Sequence, residues 1–223
     1  MMHGQAELIQ LLNQQGWAVS DTVLPPAWHA ELGDQARALW AAGAFTPGEI
    51  GRSETGARQP EIRGDAICWL RPGMAGYDHP FLGWMAAFRT ALNDHFSMGL
   101  RSHEFHFARY GVGKGYQKHI DQHRGTDHRK VSVVFYLNPG WDPANGGELS
   151  LYQPRDPDAE MARIAPLGGR LIVFVSGVMP HAVRPCKAVR WSLTGWLRTD
   201  DVGGATGAPG GPGGPAAMQA PQV

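Results

Sequence analysis

The 223-residue chain has zero formal net charge and 43% hydrophobic residues. That is enough for one substantial core, without the basic excess that draws a protein to nucleic acid or an anionic membrane. No apolar run approaches the roughly 20 residues of a membrane helix, and the N-terminus lacks the basic-then-apolar order of a secretory signal. Cys68 and Cys186 lie far apart and read as reduced thiols of a cytoplasmic protein.

The first predicted element is a helix over 6–15, with Leu8, Leu11 and Leu12 at helical spacing. Pro25 and Pro26 open a second helix whose apolar stripe is Trp28, Leu32, Leu39 and Trp40. Residues 51–60 are polar and glycine-rich and read as a long mobile loop; 62–69 follow as a short strand or hairpin arm. A third helix starts at Pro80, where Phe81, Met85, Phe88, Leu92 and Phe96 recur at steps of four and three.

From Ser102 the pattern changes to short runs rich in Val, Ile, Phe, Tyr and Trp, cut by glycine and proline. Strands are predicted over 103–110, 116–121, 131–137, 147–152, 170–175, 181–184 and 190–197. Helices first and strands after imply an α+β fold: a double-stranded β-helix, or jelly roll, with helices packed on one face. Residues 1–100 would form the helical support with a mobile finger at about 50–70, and 101–199 the catalytic core. The Gly/Pro-rich stretch 202–223 cannot bury enough apolar surface to fold and reads as a disordered tail. Its prolines read as linker.

The chemistry is carried by His119, Asp121, His181 and Arg190. Residues i and i+2 of a strand share a face, so His119 and Asp121 reach one ion. His181 follows an apolar strand and would close the site from across the barrel. Two imidazoles and a carboxylate suit ferrous iron and leave coordination positions open. Zinc is the rival metal, and His123 and His128 compete as ligands from the polar loop 122–130. His103 and His106 have no carboxylate at strand spacing and read as sheet positions. With His181 and Arg190 on neighbouring strands, the guanidinium would point inward and need a buried anion. The C5 carboxylate of 2-oxoglutarate supplies one through bidentate hydrogen bonds, with the Tyr136 hydroxyl as a second donor.

These residues lie in longer matches. Tyr110-Gly-Val-Gly-Lys-Gly-Tyr-Gln-Lys-His119-Ile-Asp121, Val-Val-Phe-Tyr-Leu-Asn-Pro-Gly-Trp-Asp142, Gly-Gly-Glu-Leu149, Pro180-His181 and Arg190 to Trp196 stand in order. Over about residues 60–198 the chain resembles the prolyl hydroxylase domain family, which includes the oxygen-sensing hydroxylases of hypoxia-inducible factor and their bacterial relatives. Ile62-Arg63-Gly64-Asp65 is similar to that family's substrate finger.

The resemblance implies iron(II) held by His119, Asp121 and His181, with 2-oxoglutarate and dioxygen as co-substrates and ascorbate as reductant. Arg190 would bind the C5 carboxylate with Tyr136 and Thr194, while Tyr110 and Leu149 line the pocket. Arg63, Asp65, Arg129 and Trp196 would border the channel for a proline-containing protein segment. The implied reaction is hydroxylation of a prolyl C4, releasing succinate and CO2, with elongation factor Tu a candidate substrate. Neither nucleic acid nor membrane is expected as a partner. The turn 110–116 is one residue shorter than in the animal enzymes, as is the turn before Gly146, and the finger's sequence is its own.

Three other readings fit part of the pattern. The same chemistry on a free amino acid or small metabolite would not need Arg63 and Asp65. Nucleic-acid dealkylation would want a basic, aromatic face. A cupin-like binding module would keep the metal without turnover.

Overall fold

The computed structural model describes residues 3–49, 59, 61–122 and 126–201. The tail from 202, all of the 51–60 loop but Gln59, and His123 lie outside them. Three helices precede most of the sheet: α1 (His3–Gln15), α2 (Trp28–Ala41) and α3 (Pro80–Phe96). None of the described helices is long and apolar enough to cross a membrane. α1 ends at Gly16, whose φ of +79° suits a residue without a side chain. α3 starts on Pro80, and the His79 ring caps it: Nδ1 accepts from the Phe81 N–H at 3.1 Å. The His79 proton must then sit on Nε2, which donates to Glu31 at 3.0 Å and ties α3 to α2.

Eleven strands form two antiparallel sheets. The larger runs β1 (Trp17–Ser20), β9 (Leu171–Val175), β6 (Arg129–Tyr136), β11 (Arg190–Arg198), β4 (Ser102–Tyr110), β3 (Asp65–Trp69) and β2 (Thr46–Pro47). The smaller runs β5 (Tyr116–His119), β10 (His181–Val183), β7 (Leu149–Gln153) and β8 (Asp156–Ile164). This is the expected α+β architecture, a double-stranded β-helix backed by helices.

Strand alternation divides the larger sheet between two duties. Phe105 and Phe107 of β4, Val131, Val133 and Phe135 of β6, and Trp191, Leu193 and Leu197 of β11 share one core with Leu8, Leu32, Phe81, Met85 and Phe88 of the helices. Each such buried side chain contributes about 1.5–3 kcal/mol. The intervening residues face the other sheet. There Ala108, Tyr110, Val134, Tyr136, Ile172 and Phe174 meet Leu149, Leu151, Val183 and Cys186 in a second core. Cys68 and Cys186 are both free and buried.

Two expectations change. Trp40 is 41% exposed because the α2 stripe turns away from the sheet there. Its ring instead meets Phe45 and Trp191 edge-on and carries the Arg109 guanidinium at 4.0 Å. Strands β1, β2 and β8 had no sequence signal.

His103 on β4 has a buried, unpartnered Nδ1, and burial with the nearby Arg89 pushes its pKa down to about 4. A histidine near 6.5 unfolded and 4 folded favours folding fully above pH 6.5 and loses that contribution as pH falls toward 4. His103→Phe should therefore flatten the loss of stability across this window, by up to about 1.4 kcal/mol per pH unit. Urea midpoints measured from pH 7 to pH 4 would show it; parallel curves for the two proteins would refute it.

Candidate active site

A cavity of about 190 Å³ lies between the sheets. Its lining includes eleven of the twelve residues singled out above: Arg63, Asp65, Tyr110, His119, Asp121, Arg129, Leu149, His181, Arg190, Thr194 and Trp196. The twelfth, Tyr136, lies behind Arg190 and bonds to it.

His119 ends β5, and its direct cross-strand partner is His181 of β10. His181 thus comes from the neighbouring strand of the same sheet, not from across the barrel. Asp121 lies just past the end of β5, and its Oδ1 is 3.5 Å from Nε2 of each histidine. One ligand atom from each of the three falls within 4.8 Å of the others, a grouping that could hold a metal ion. Exposed His128 is not part of it.

The surroundings orient all three. Backbone carbonyls of Gln117 and Met179 lie 2.7 and 3.0 Å from Nδ1 of His119 and His181. A carbonyl only accepts, so each Nδ1 carries the proton and each Nε2 lone pair points at Asp121 Oδ1. Ser132 Oγ donates to Asp121 Oδ2 at 2.7 Å. Ser176 Oγ, 2.8 Å away, must then donate to Ser132. One carboxylate oxygen is spoken for and the other is left for an ion. The Tyr116 ring stacks on His119 at 3.7 Å, and Phe174 tilts against His181.

Charge is coupled across the triad. Burial alone would raise the Asp121 carboxyl, but both imidazoles hold it well below the usual range. Burial and the second imidazole lower His119. His181 is raised against its burial by Asp121. A cation taking the place of these protons fits a donor set of two neutral imidazoles and one carboxylate.

Arg190 opens β11 on the larger sheet, whereas His181 lies on the smaller one, so the two are not on neighbouring strands. They reach one cavity from opposite walls, because β11 turns its even-numbered side chains inward. Arg190 is 1% exposed. Nε donates to the Gly147 carbonyl at 2.9 Å and Nη2 to Tyr136 Oη at 3.2 Å. Tyr110 and Tyr136 present their rings to the guanidinium at 5.0 and 4.8 Å. Among the described residues no carboxylate pairs with it, which is costly for a buried cation and suits an anionic ligand. Burial raises both tyrosines, so both hydroxyls stay protonated. Tyr136 accepts from Arg190 and keeps its own proton to donate. Gly147, at φ +72°, brings its backbone against the Arg190 stem, where a Cβ would sit 3.3 Å from Cδ.

Thr194 Oγ1 lies 3.1 Å from Ser192 Oγ on the same face. At the rim, Arg63 grips Asp65 through two hydrogen bonds of 2.7 and 3.0 Å and reaches the Glu49 carbonyl. Arg129 pairs with Glu104 at 2.9 Å and lies over the Trp196 ring at 3.5 Å. Arg198 holds Glu104 from the other side.

Several residues here were missed from the sequence. Ser132 and Ser176 belong to ordinary apolar strands or turns, and only the three-dimensional register places them behind Asp121. Ser132→Ala should weaken iron binding about 10- to 100-fold, as loss of an outer partner typically does. Calorimetric iron titration checks this; unchanged affinity would remove Ser132 from the site.

Residues 105–198 match the model of the 2OG-Fe(II) oxygenase superfamily. The human protein Egl nine homolog 1 is 32% identical over 198 residues, covering 85% of this chain and 45% of that protein. The chain thus spans about half the length of the curated relatives it matches. A Pseudomonas putida prolyl-4-hydroxylase crystal structure superposes with a TM-score of 0.78 at 36% identity, over 88% of this chain and 99% of that one. A Trichoplax adhaerens prolyl hydroxylase, solved with a peptide fragment of hypoxia-inducible factor, gives 0.74 at 27% identity, over 87% and 89%.

Proposed function

The chain belongs to the prolyl hydroxylase family of iron(II)- and 2-oxoglutarate-dependent oxygenases, and on that premise we propose that it hydroxylates C4 of a prolyl residue in a protein substrate. The observation that carries the reading is the fully buried Arg190 without a protein carboxylate, facing the same cavity as the His119–Asp121–His181 group. When bound, iron(II) and 2-oxoglutarate activate dioxygen so that one oxygen atom enters a substrate C–H bond and the other enters succinate, with loss of CO2.

The chain's own residues do the rest. His119 and His181 present unprotonated Nε2 atoms, while Ser132 fixes the Asp121 carboxylate. Arg190 and the Tyr136 hydroxyl hold the distal carboxylate of 2-oxoglutarate, with Thr194 beside it. Tyr110, Leu149 and Phe174 wall the space and exclude water. Arg63, Asp65, Arg129 and Trp196 border the path of the substrate segment. Ascorbate serves as reductant, and the setting is cytoplasmic. Elongation factor Tu is the candidate substrate that the family resemblance suggests.

The test is direct. The protein is loaded with iron(II) and 2-oxoglutarate in air and added to a bacterial lysate, with His181→Ala as control. Peptide mass spectrometry should find one added oxygen on a specific proline, absent from the control. Succinate without any modified proline would move the activity to a small molecule. Neither product would leave a binding protein.

A further inference from the structure

One stretch of the cavity wall has polar atoms that no described residue satisfies. His106 is 2% exposed and Trp196 7%. Both line the cavity, with ring centroids 5.5 Å apart. His106 Nδ1 and Trp196 Nε1 are buried without a hydrogen-bond partner among the described residues. Leaving such groups unpaired costs about 1–3 kcal/mol each. Trp69 closes the other side of His106 at 4.8 Å.

Position separates this pair from the co-substrate's anchor. On β4, His106 lies four residues from Tyr110, which is the direct cross-strand partner of Arg190. At about 3.3 Å per residue that is about 13 Å, longer than a five-carbon diacid. A molecule held at Arg190 leaves this end free for a second one.

The chemistry of the pair is selective. Burial, together with the Arg63 and Arg129 guanidiniums, pushes the His106 pKa down to about 3, so the ring is neutral and carries one N–H. The indole N–H only donates. Two neutral donors between aromatic walls suit an uncharged acceptor attached to an apolar ring. A prolyl residue within a chain has no N–H, and the polar atom closest to its ring is a carbonyl oxygen. We infer that His106 and Trp196 form the receptor for the substrate proline, donating hydrogen bonds to a backbone carbonyl oxygen while Trp69 and Trp196 flank the pyrrolidine. This rests on the prolyl hydroxylase reading above and adds His106 to it as a specificity residue.

The experiment compares wild type, His106→Phe and His106→Gln in the lysate assay, together with calorimetric 2-oxoglutarate affinity of the iron-loaded proteins without oxygen. Phenylalanine keeps a flat ring and removes the donor; glutamine restores an N–H. Occupancy of the wild-type proline sites should fall about 10- to 100-fold in His106→Phe and recover in part in His106→Gln, with 2-oxoglutarate affinity unchanged in both. Retained affinity also shows that the variants are folded. Equal occupancy in His106→Phe would overturn the inference, as would a loss of 2-oxoglutarate affinity in place of substrate. A wild type that forms succinate but modifies no proline overturns the underlying reading, a result distinct from either.

Discussion

Asp121→Ala is expected to reduce succinate formation from 2-oxoglutarate to background. Removing an outer partner of a metal ligand typically costs about 10- to 100-fold, and here the lost group is the one anion of the triad. His119 and His181 would remain with their Nε2 atoms aimed at an empty position, and the Ser132 hydroxyl would lose its acceptor. Two neutral imidazoles bring no charge to offset the desolvation of a divalent cation. The variant should still fold, because the side chain lies outside both hydrophobic cores. Metal analysis and succinate quantification on the same preparation check this. Near wild-type turnover would show that the metal is held elsewhere.

Arg190→Met should show opposite effects on co-substrate use and on stability. Losing one partner of a buried, hydrogen-bonded charge pair costs about 2–5 kcal/mol, so the 2-oxoglutarate KM should rise about 30-fold to several thousand-fold. The isolated protein should lose little or even gain stability, since the guanidinium is buried without a protein anion and methionine fills similar space. A thermal melt should therefore be unshifted or higher, while the stabilisation that 2-oxoglutarate gives wild type by mass action disappears. Arg190→Lys should fall between, keeping charge without the planar fork. An unchanged KM in Arg190→Met would end the assigned role of this residue.

The sequence shows the chemistry more clearly than the framework that holds it. The His119–Asp121 spacing, His181 after an apolar run and Arg190 nine residues later are all visible in the chain, and so are the helices with apolar steps of three and four. The sheet to which each strand belongs is not. His181 and Arg190 are close in sequence but lie in opposite sheets, because pairing is decided by contacts that a linear reading does not contain. Strand β8, Asp156–Ile164, was invisible for a different reason. It is an edge strand with mostly exposed or half-buried positions, so it needs no alternation of apolar and polar residues. His106 has the same explanation. Its neighbours Phe105 and Phe107 advertise a strand, but its own role depends on Trp196, ninety residues on.

The alternation along β11 and β4 also bears on how substitutions can be sorted. In β11 the odd positions Trp191, Leu193 and Leu197 are packed against the helices, while Arg190, Thr194 and Trp196 line the cavity. A library of variants across this one strand, scored once for protein abundance and once for turnover, should separate by parity. Odd-position changes would deplete the protein from cells, whereas even-position changes would leave abundant but inactive protein. A single inserted residue exchanges the two sets, so indels here should be lost from both screens at once. Adaptation toward new substrates would then proceed through even positions, with the odd ones setting how much destabilisation the chain can absorb.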